Sequence, residues 1–264
     1  MDLGLTAKNC LVVAGSKGLG FATAKALVSE GANVAICSRT EANVQQAIAE
    51  LKQLRGEGSL LGSVADATNP AELAFVITQA EKHFGSIDVL VWNSGGPKGG
   101  TAAELSADEF EEAFEAGTSP AIAATQLVLP QMRQNKWGRL LYITTSGVAQ
   151  PIPGLALSNT SRSALTSYAK TLAAEVAADG VLVNTIMPGR FATDRHHEVI
   201  RIQAEKSGTT IEEQEQIALA RIPIGRYGDP DEFGAFVAFL ASEKAAYMTG
   251  GNYAVDGGAI VGMR

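Results

Sequence analysis

Cysteine is scarce in this chain: among 264 residues there are two, Cys10 and Cys37. Two lone thiols cannot build a disulfide framework, and both sit beside expected strands, so they are read as buried free thiols. Histidine is nearly as sparse. His83 stands alone, and His196 with His197 is an adjacent pair outside any zinc spacing, so no metal site is expected. Positive charge is in deficit. Lys and Arg number 21 against 28 Asp and Glu, a net −7 with no basic run, which argues against nucleic acid or an anionic membrane surface as partner. No apolar run reaches membrane-spanning length. The first eight residues lack the charged start and apolar core of a signal peptide, so a cytoplasmic location is expected. What the chain has in quantity is apolar residues, 46% of the total. That suffices for one large α/β domain around a buried sheet.

Short apolar runs alternate with helical patterns from end to end. Strands are expected at 11–14, 33–37, 59–64, 89–92, 140–144, 182–187 and 253–255, apolar throughout and thus buried on both faces, as parallel strands are. Val44, Ala47, Ile48 and Leu51 recur at i, i+3, i+4, i+7 and mark one helix face, and Phe233, Phe236, Val237 and Leu240 mark another. Asn69-Pro70 and Asp229-Pro230 pair an N-cap with proline at the first helical position. Alternating β and α elements predict a doubly wound sheet. Residues 190–222 break the rhythm: they are polar, charged and helical in pattern. An insertion above the carboxyl ends of the strands is where a substrate lid belongs, although a solvated surface excursion has the same composition.

The segment from Cys10 to Gly20 carries the most information. An apolar run stops at Gly15-Ser16-Lys17-Gly18-Leu19-Gly20, and an amphipathic segment follows at once. Glycines there let the backbone turn sharply and approach a ligand closely. The first amides of the following helix, with its dipole, favour an anion at that turn.

With this turn, the later motifs make the chain resemble the short-chain dehydrogenase/reductase family over nearly its whole length. Asp66 after the third strand resembles that family's adenine-contacting position, and Asn93-Ser94-Gly95 its Asn-Ala-Gly signature. Pro188-Gly189 with Thr193 resembles its turn beside the nicotinamide. Gly225–Glu232 and Thr249–Gly258 resemble its C-terminal signatures. The resemblance implies a single Rossmann-type doubly wound α/β domain with a mostly parallel seven-stranded sheet, usually in a homo-oligomer, tetramer or dimer, and a small-molecule substrate. Charge then bears on the cofactor. A site for NAD needs a carboxylate at the end of the second strand, and here Ser38 and Arg39 occupy it. A guanidinium there, with Lys17 nearby, suits a 2′-phosphate, so NADP(H) is expected.

The family's chemistry relies on a tyrosine that donates a proton and a lysine four residues later, on one helix face. Here those places hold Ser158 and Arg162. A serine hydroxyl is a much weaker acid than a phenol, and arginine stays charged and cannot relay a proton. Arg162 can still donate to ribose hydroxyls. Either Thr145 or Ser146 fits the family's carbonyl-polarising serine, and Gly117 stands where the family has a helix asparagine. Tyr168 and Lys170 are two apart and do not form a shifted pair. Gly95–Gly100 is a glycine-rich loop suited to substrate access. Arg190, Arg195, His196, His197 and Arg201 cluster at the start of the insertion, either as an anion or proton site or as a solvated helix start. Three functions stand open: an NADP(H)-dependent oxidoreductase with non-standard proton delivery, acting on a small carbonyl, alcohol or related unsaturated compound; a dinucleotide-binding sensor or scaffold that has lost the chemistry; or a lyase or isomerase that uses the nicotinamide only as structure.

Overall fold

Strand polarity and burial follow from the period-two patterning of the apolar runs. In the computed structural model, which describes residues 2–54 and 58–262, Leu11 and Val13 of β1 (Asn9–Val13) face one core while Cys10 and Val12 face the other. The same split runs through β4 (Val89–Trp92) and β5 (Gly138–Ile143). One core packs under α3 (Pro70–Phe84), α5 (Ser119–Gln134) and α6 (Ala156–Val176). The other packs under α1 (Gly18–Ser29), α2 (Glu41–Leu51) and α9 (Pro230–Ala241). Phe233, Val237 and Leu240 are buried there, as their spacing requires.

The sheet is completed by β2 (Asn33–Ser38), β3 (Leu60–Val64), β6 (Val181–Pro188) and β7 (Asn252–Val255). The order is β3-β2-β1-β4-β5-β6-β7, and every ladder is parallel. The expected Rossmann-type α/β sheet is thus present, wholly rather than mostly parallel. One expectation is corrected. β3 and β7 are not buried on both faces: Val64 is 50% exposed, because these two strands form the sheet's edges.

The predicted caps form. Asn69 Oδ1 accepts from the Ala71 and Glu72 amides, and Asp229 and Glu232 make a reciprocal capping box at the start of α9. Both cysteines are buried, and burial pushes the Cys37 thiol up to about 11. Residues 190–222 fold as α7 (Asp194–Ser207) and α8 (Ile211–Leu219) with their connections. A further helix, α4 (Ala107–Gly117), leads into α5. Among the described residues no helix is long and apolar enough to cross a membrane.

Strand order reverses between β1 and β4. Connections leave the two strands toward opposite sides, which opens a crevice at their carboxyl ends. The glycine turn follows β1, and Asn93-Ser94-Gly95 follows β4. The two runs picked out by sequence therefore meet at one place.

Candidate active site

The glycine turn is built to exclude side chains. Its Gly15 amide donates to the Cys37 carbonyl at 3.2 Å, which sets it beside the end of β2. A Cβ on Gly20 would lie 2.3 Å from the Ala14 carbonyl oxygen, so only glycine fits. Gly18 has φ of +53°, and a Cβ there would meet only Thr193, in ordinary van der Waals contact. Lys17, at the N-cap of α1, and Arg39, just beyond β2, are both exposed, and neither side chain makes a hydrogen bond or ion pair. Ser16 and Ser38 are half-buried at the same rim, and Leu19 packs on the core below. A helix N-terminus kept clear of side chains, with two exposed cations beside it, favours an anion.

Other expected contacts prove partly committed. Asp66 Oδ1 accepts from the Thr68 amide and hydroxyl at 2.9 and 2.8 Å, bonds that hold the carboxyl below its usual range. Its own amide donates to Glu72. Asn93 Nδ2 donates to the Ala14 carbonyl at 3.3 Å, tying the end of β4 to the glycine turn. Gly189, after Pro188 at the end of β6, donates to Val255 at 2.8 Å and passes too close to Asp256 for any side chain. Thr193 accepts from the His196 amide as the cap of α7. Its methyl would stand 3.6 Å from a Cβ at position 18, so the root of the 190–222 insertion touches the phosphate turn.

The candidate catalytic residues sit on α6 and the segment after β5. Ser158 and Arg162 lie one turn apart on α6. The Ser158 hydroxyl is half-buried and has no hydrogen bond. Arg162 is 4% exposed and reaches across to the end of β4. Its Nη2 donates to Ser94 Oγ at 2.7 Å and lies 3.1 Å from both the Ser94 and Gly95 carbonyl oxygens. Its Nη1 is buried with no partner among the described residues. No carboxylate compensates the charge, and burial lowers the guanidinium to about 10. A Cβ on Gly117 would stand 3.6 Å from Nη1, in ordinary van der Waals contact, so position 117 borders the guanidinium. Two bonds hold that junction: Trp92 Nε1 donates to the Gly117 carbonyl at 3.1 Å, and Thr118 Oγ1 donates to Ser161 at 2.8 Å.

After β5, Thr145 Oγ1 accepts from the Gly147 amide at 3.2 Å and caps a short turn, while the Ser146 hydroxyl is unbonded. Asn159 braces the segment above by bonding both the amide and the carbonyl of Ile152. The Gly95–Gly100 loop is pinned at its far end by a bridge to Leu155 and by the Lys98–Glu109 ion pair. Tyr168 faces Tyr142, and Lys170 donates to Gly250 at 2.7 Å, so neither joins the site.

The cationic cluster at the start of the insertion assembles only in part: Arg190, His196 and His197 lie near one another, while Arg195 and Arg201 do not join them. Arg195 and Arg201 are exposed and paired to Glu198 and Glu205 of their own helix. His196 stacks edge-on against Tyr227 at 4.2 Å. Desolvation, then Arg190 and His197, push it down to about 4, so it is neutral near pH 7. A cavity of about 150 Å³ between Arg190, Ile222 and Asp256 lies outside the Ser158–Arg162 region. Sequence reasoning missed two residues here. Ser94 was visible only as a variant letter in Asn93-Ser94-Gly95, and nothing in the sequence pointed to Asn159.

Fold and site together point to a nucleotide-binding oxidoreductase of α/β type. The comparisons agree. The family model described as enoyl-(acyl carrier protein) reductase matches residues 13–259. Human dehydrogenase/reductase SDR family member 4 is 31% identical over 256 residues, covering 96% of this chain and 88% of that one. The 3-oxoacyl-(acyl-carrier-protein) reductase of Escherichia coli is 31% identical over 251 residues, covering 95% and 96%. L-sorbose reductase from Gluconobacter frateurii, solved with NADPH and L-sorbose, superposes with a TM-score of 0.93 at 28% identity over all of both chains. The chain belongs to the short-chain dehydrogenase/reductase family.

Proposed function

We propose that the protein is an NADP(H)-dependent oxidoreductase acting on a small carbonyl, alcohol or related unsaturated compound, without a tyrosine as proton donor. The observation that carries this reading is the side-chain-free cradle at Gly18 and Gly20 flanked by the unpaired Lys17 and Arg39. Gly15, Ser16, Leu19 and the α1 amides would receive the pyrophosphate. Arg39 and Lys17 would receive the 2′-phosphate beside Ser38, with Asp66 at the adenine. Asn93, Pro188, Gly189 and Thr193 shape the nicotinamide end. Arg162 Nη1, buried without a partner, fits a ribose hydroxyl. The bound nucleotide would supply or accept hydride. The protein's part is to orient the substrate through the hydroxyls of Ser158, Thr145 or Ser146, and to exclude water with the 190–222 insertion acting as a lid. Family relation alone supports a cytoplasmic homo-oligomer, a tetramer or dimer.

The test is a fluorescence titration of wild type and Arg39→Asp with NADPH and NADH. The variant is expected to lose about 10- to 100-fold in NADPH affinity, as loss of a charge-assisted bidentate contact implies, with little loss for NADH. Equal losses would defeat the 2′-phosphate assignment. Tight NADPH binding with no turnover on any ketone, aldehyde, imine or enone would favour the sensor.

A further inference from the structure

Three polar side chains meet at the root of the 190–222 insertion without satisfying one another. A parallel bridge pairs Phe191 with Gly228. The Gly228 amide donates to the Arg190 carbonyl at 2.9 Å, and the Ala192 amide donates to the Gly228 carbonyl at 2.9 Å. Position 228 needs glycine, because a Cβ there would lie 2.5 Å from the Phe191 ring. That register sets Arg190 beside Tyr227. Thr193 caps the first turn of α7, and the His196 ring meets Tyr227 edge-on, with ring centres 4.2 Å apart.

The Tyr227 hydroxyl and His196 Nε2 are buried, and neither has a hydrogen-bond partner among the described residues. Buried polar atoms are seldom left so. The half-buried Arg190 side chain makes no hydrogen bond or ion pair among those residues either. The charges facing the three groups are mostly positive: Arg221 acts on Arg190, and His197 on His196. Glu215 of α8 is the acidic group near Tyr227. Arg190 also borders the cavity of about 150 Å³, room for a group of about benzene size. The other charges around that cavity are committed. Arg226 pairs with Glu232, and Asp256 accepts from the Gly258 and Ile260 amides. A carboxylate supplies what the three groups lack: negative charge and two acceptor oxygens for a guanidinium, a phenol O–H and an imidazole N–H.

We propose that Arg190, Tyr227 and His196 form a binding site for a small carboxylate or comparable oxyanion at the root of the insertion. Two sources carry that chemistry: the carboxylate end of a substrate, or a free small anion. The site stands next to the nucleotide turn. Arg190 directly follows Pro188-Gly189, and the Thr193 methyl carbon is 3.6 Å from where a Cβ at position 18 would be.

The first test uses the protein without nucleotide. Benzoate, acetate and phosphate are titrated in while the ring signals of the three histidines are followed by NMR. A bound anion faces His196 with negative charge, so its ionisation should rise from about 4 by at least about one pH unit, with His83 unmoved. Arg190→Met, in folded protein confirmed by circular dichroism, should weaken benzoate by about 10- to 100-fold, the loss of a charge-assisted contact. Arg190→Lys should keep part of the affinity, and Tyr227→Phe should lose about 2- to 10-fold. Arg195→Gln, which removes a cation already paired to Glu198, should change nothing. The second test separates the sources with levulinate and methyl levulinate, a keto acid and its uncharged ester, added to the NADPH complex. Levulinate that displaces benzoate and changes the nicotinamide fluorescence identifies the substrate's own carboxylate. Levulinate and benzoate that both move His196 and leave that fluorescence alone identify a free anion. A His196 signal unmoved by every anion, or moved equally in wild type and Arg190→Met, would overturn the proposal. Only the second test rests on the oxidoreductase reading: absence of NADPH binding with the His196 response intact would remove that reading and leave the anion site standing.

Discussion

Replacing Arg162 with methionine separates what the guanidinium costs the fold from what it does for a ligand. Lowering the group from 12.5 to about 10 corresponds to roughly 3 kcal/mol of desolvation, at about 1.36 kcal/mol per pH unit. Against that stand the contacts of Nη2 to Ser94 and Gly95, worth about 1.5–3 kcal/mol for a charged donor. The two nearly cancel, and methionine occupies much of the same length. Arg162→Met should therefore change the unfolding free energy by less than about 1.5 kcal/mol, although it removes a buried charge. Urea titration with an unchanged slope measures this. Ligand binding should respond differently. If Nη1 finds its partner in the nucleotide, its loss weakens NADPH by about 10- to 100-fold, the same energy range expressed as affinity. A loss of stability above about 4 kcal/mol would mean that the arginine is compensated in a way the geometry does not reveal. Unchanged NADPH affinity would mean that the free nitrogen serves something else.

Two other measurements probe the same rim. Gly18→Ala should cost about 1–2 kcal/mol for a non-glycine residue at positive φ, whereas Gly20→Ala should cost more, since its Cβ would meet the Ala14 carbonyl oxygen at 2.3 Å; equal melting temperatures for the two variants would contradict this. His196 is lowered to about 4 in the folded chain from 6.5. The unfolded chain therefore binds the extra proton first. A penalty absent above about pH 6.5 grows as pH falls and is complete below about 4. His196→Gln should flatten the acid limb of stability against pH, and identical limbs would show that the ring stays solvated.

Most of the framework was legible because it is written locally. A strand's alternation, a helix's 3–4 spacing, an Asn-Pro cap and a glycine turn each depend on residues a few positions apart. Seven strands were accordingly expected and seven form among the described residues, with ends displaced by at most two residues. Edge exposure of β3 and β7 was not legible, since which strand lies outermost depends on the order of the whole sheet. Asp66 shows the same limit at a single residue: its position matched a motif, but Thr68 and Glu72 claim its carboxyl and amide only in the folded turn.

The sequence by itself determined the layered α/β architecture, the glycine turn after β1, the cations Lys17 and Arg39 beside it, and a serine and an arginine four residues apart at 158 and 162. Tertiary structure alone decided that Arg162 crosses to Ser94, 68 residues away along the chain, and lies beside Gly117. Backbone periodicity is a property of neighbours in the chain. A guanidinium's partners are set by which helix packs over which strand end, and in this protein that packing buries the Arg162 charge with no carboxylate beside it among the described residues.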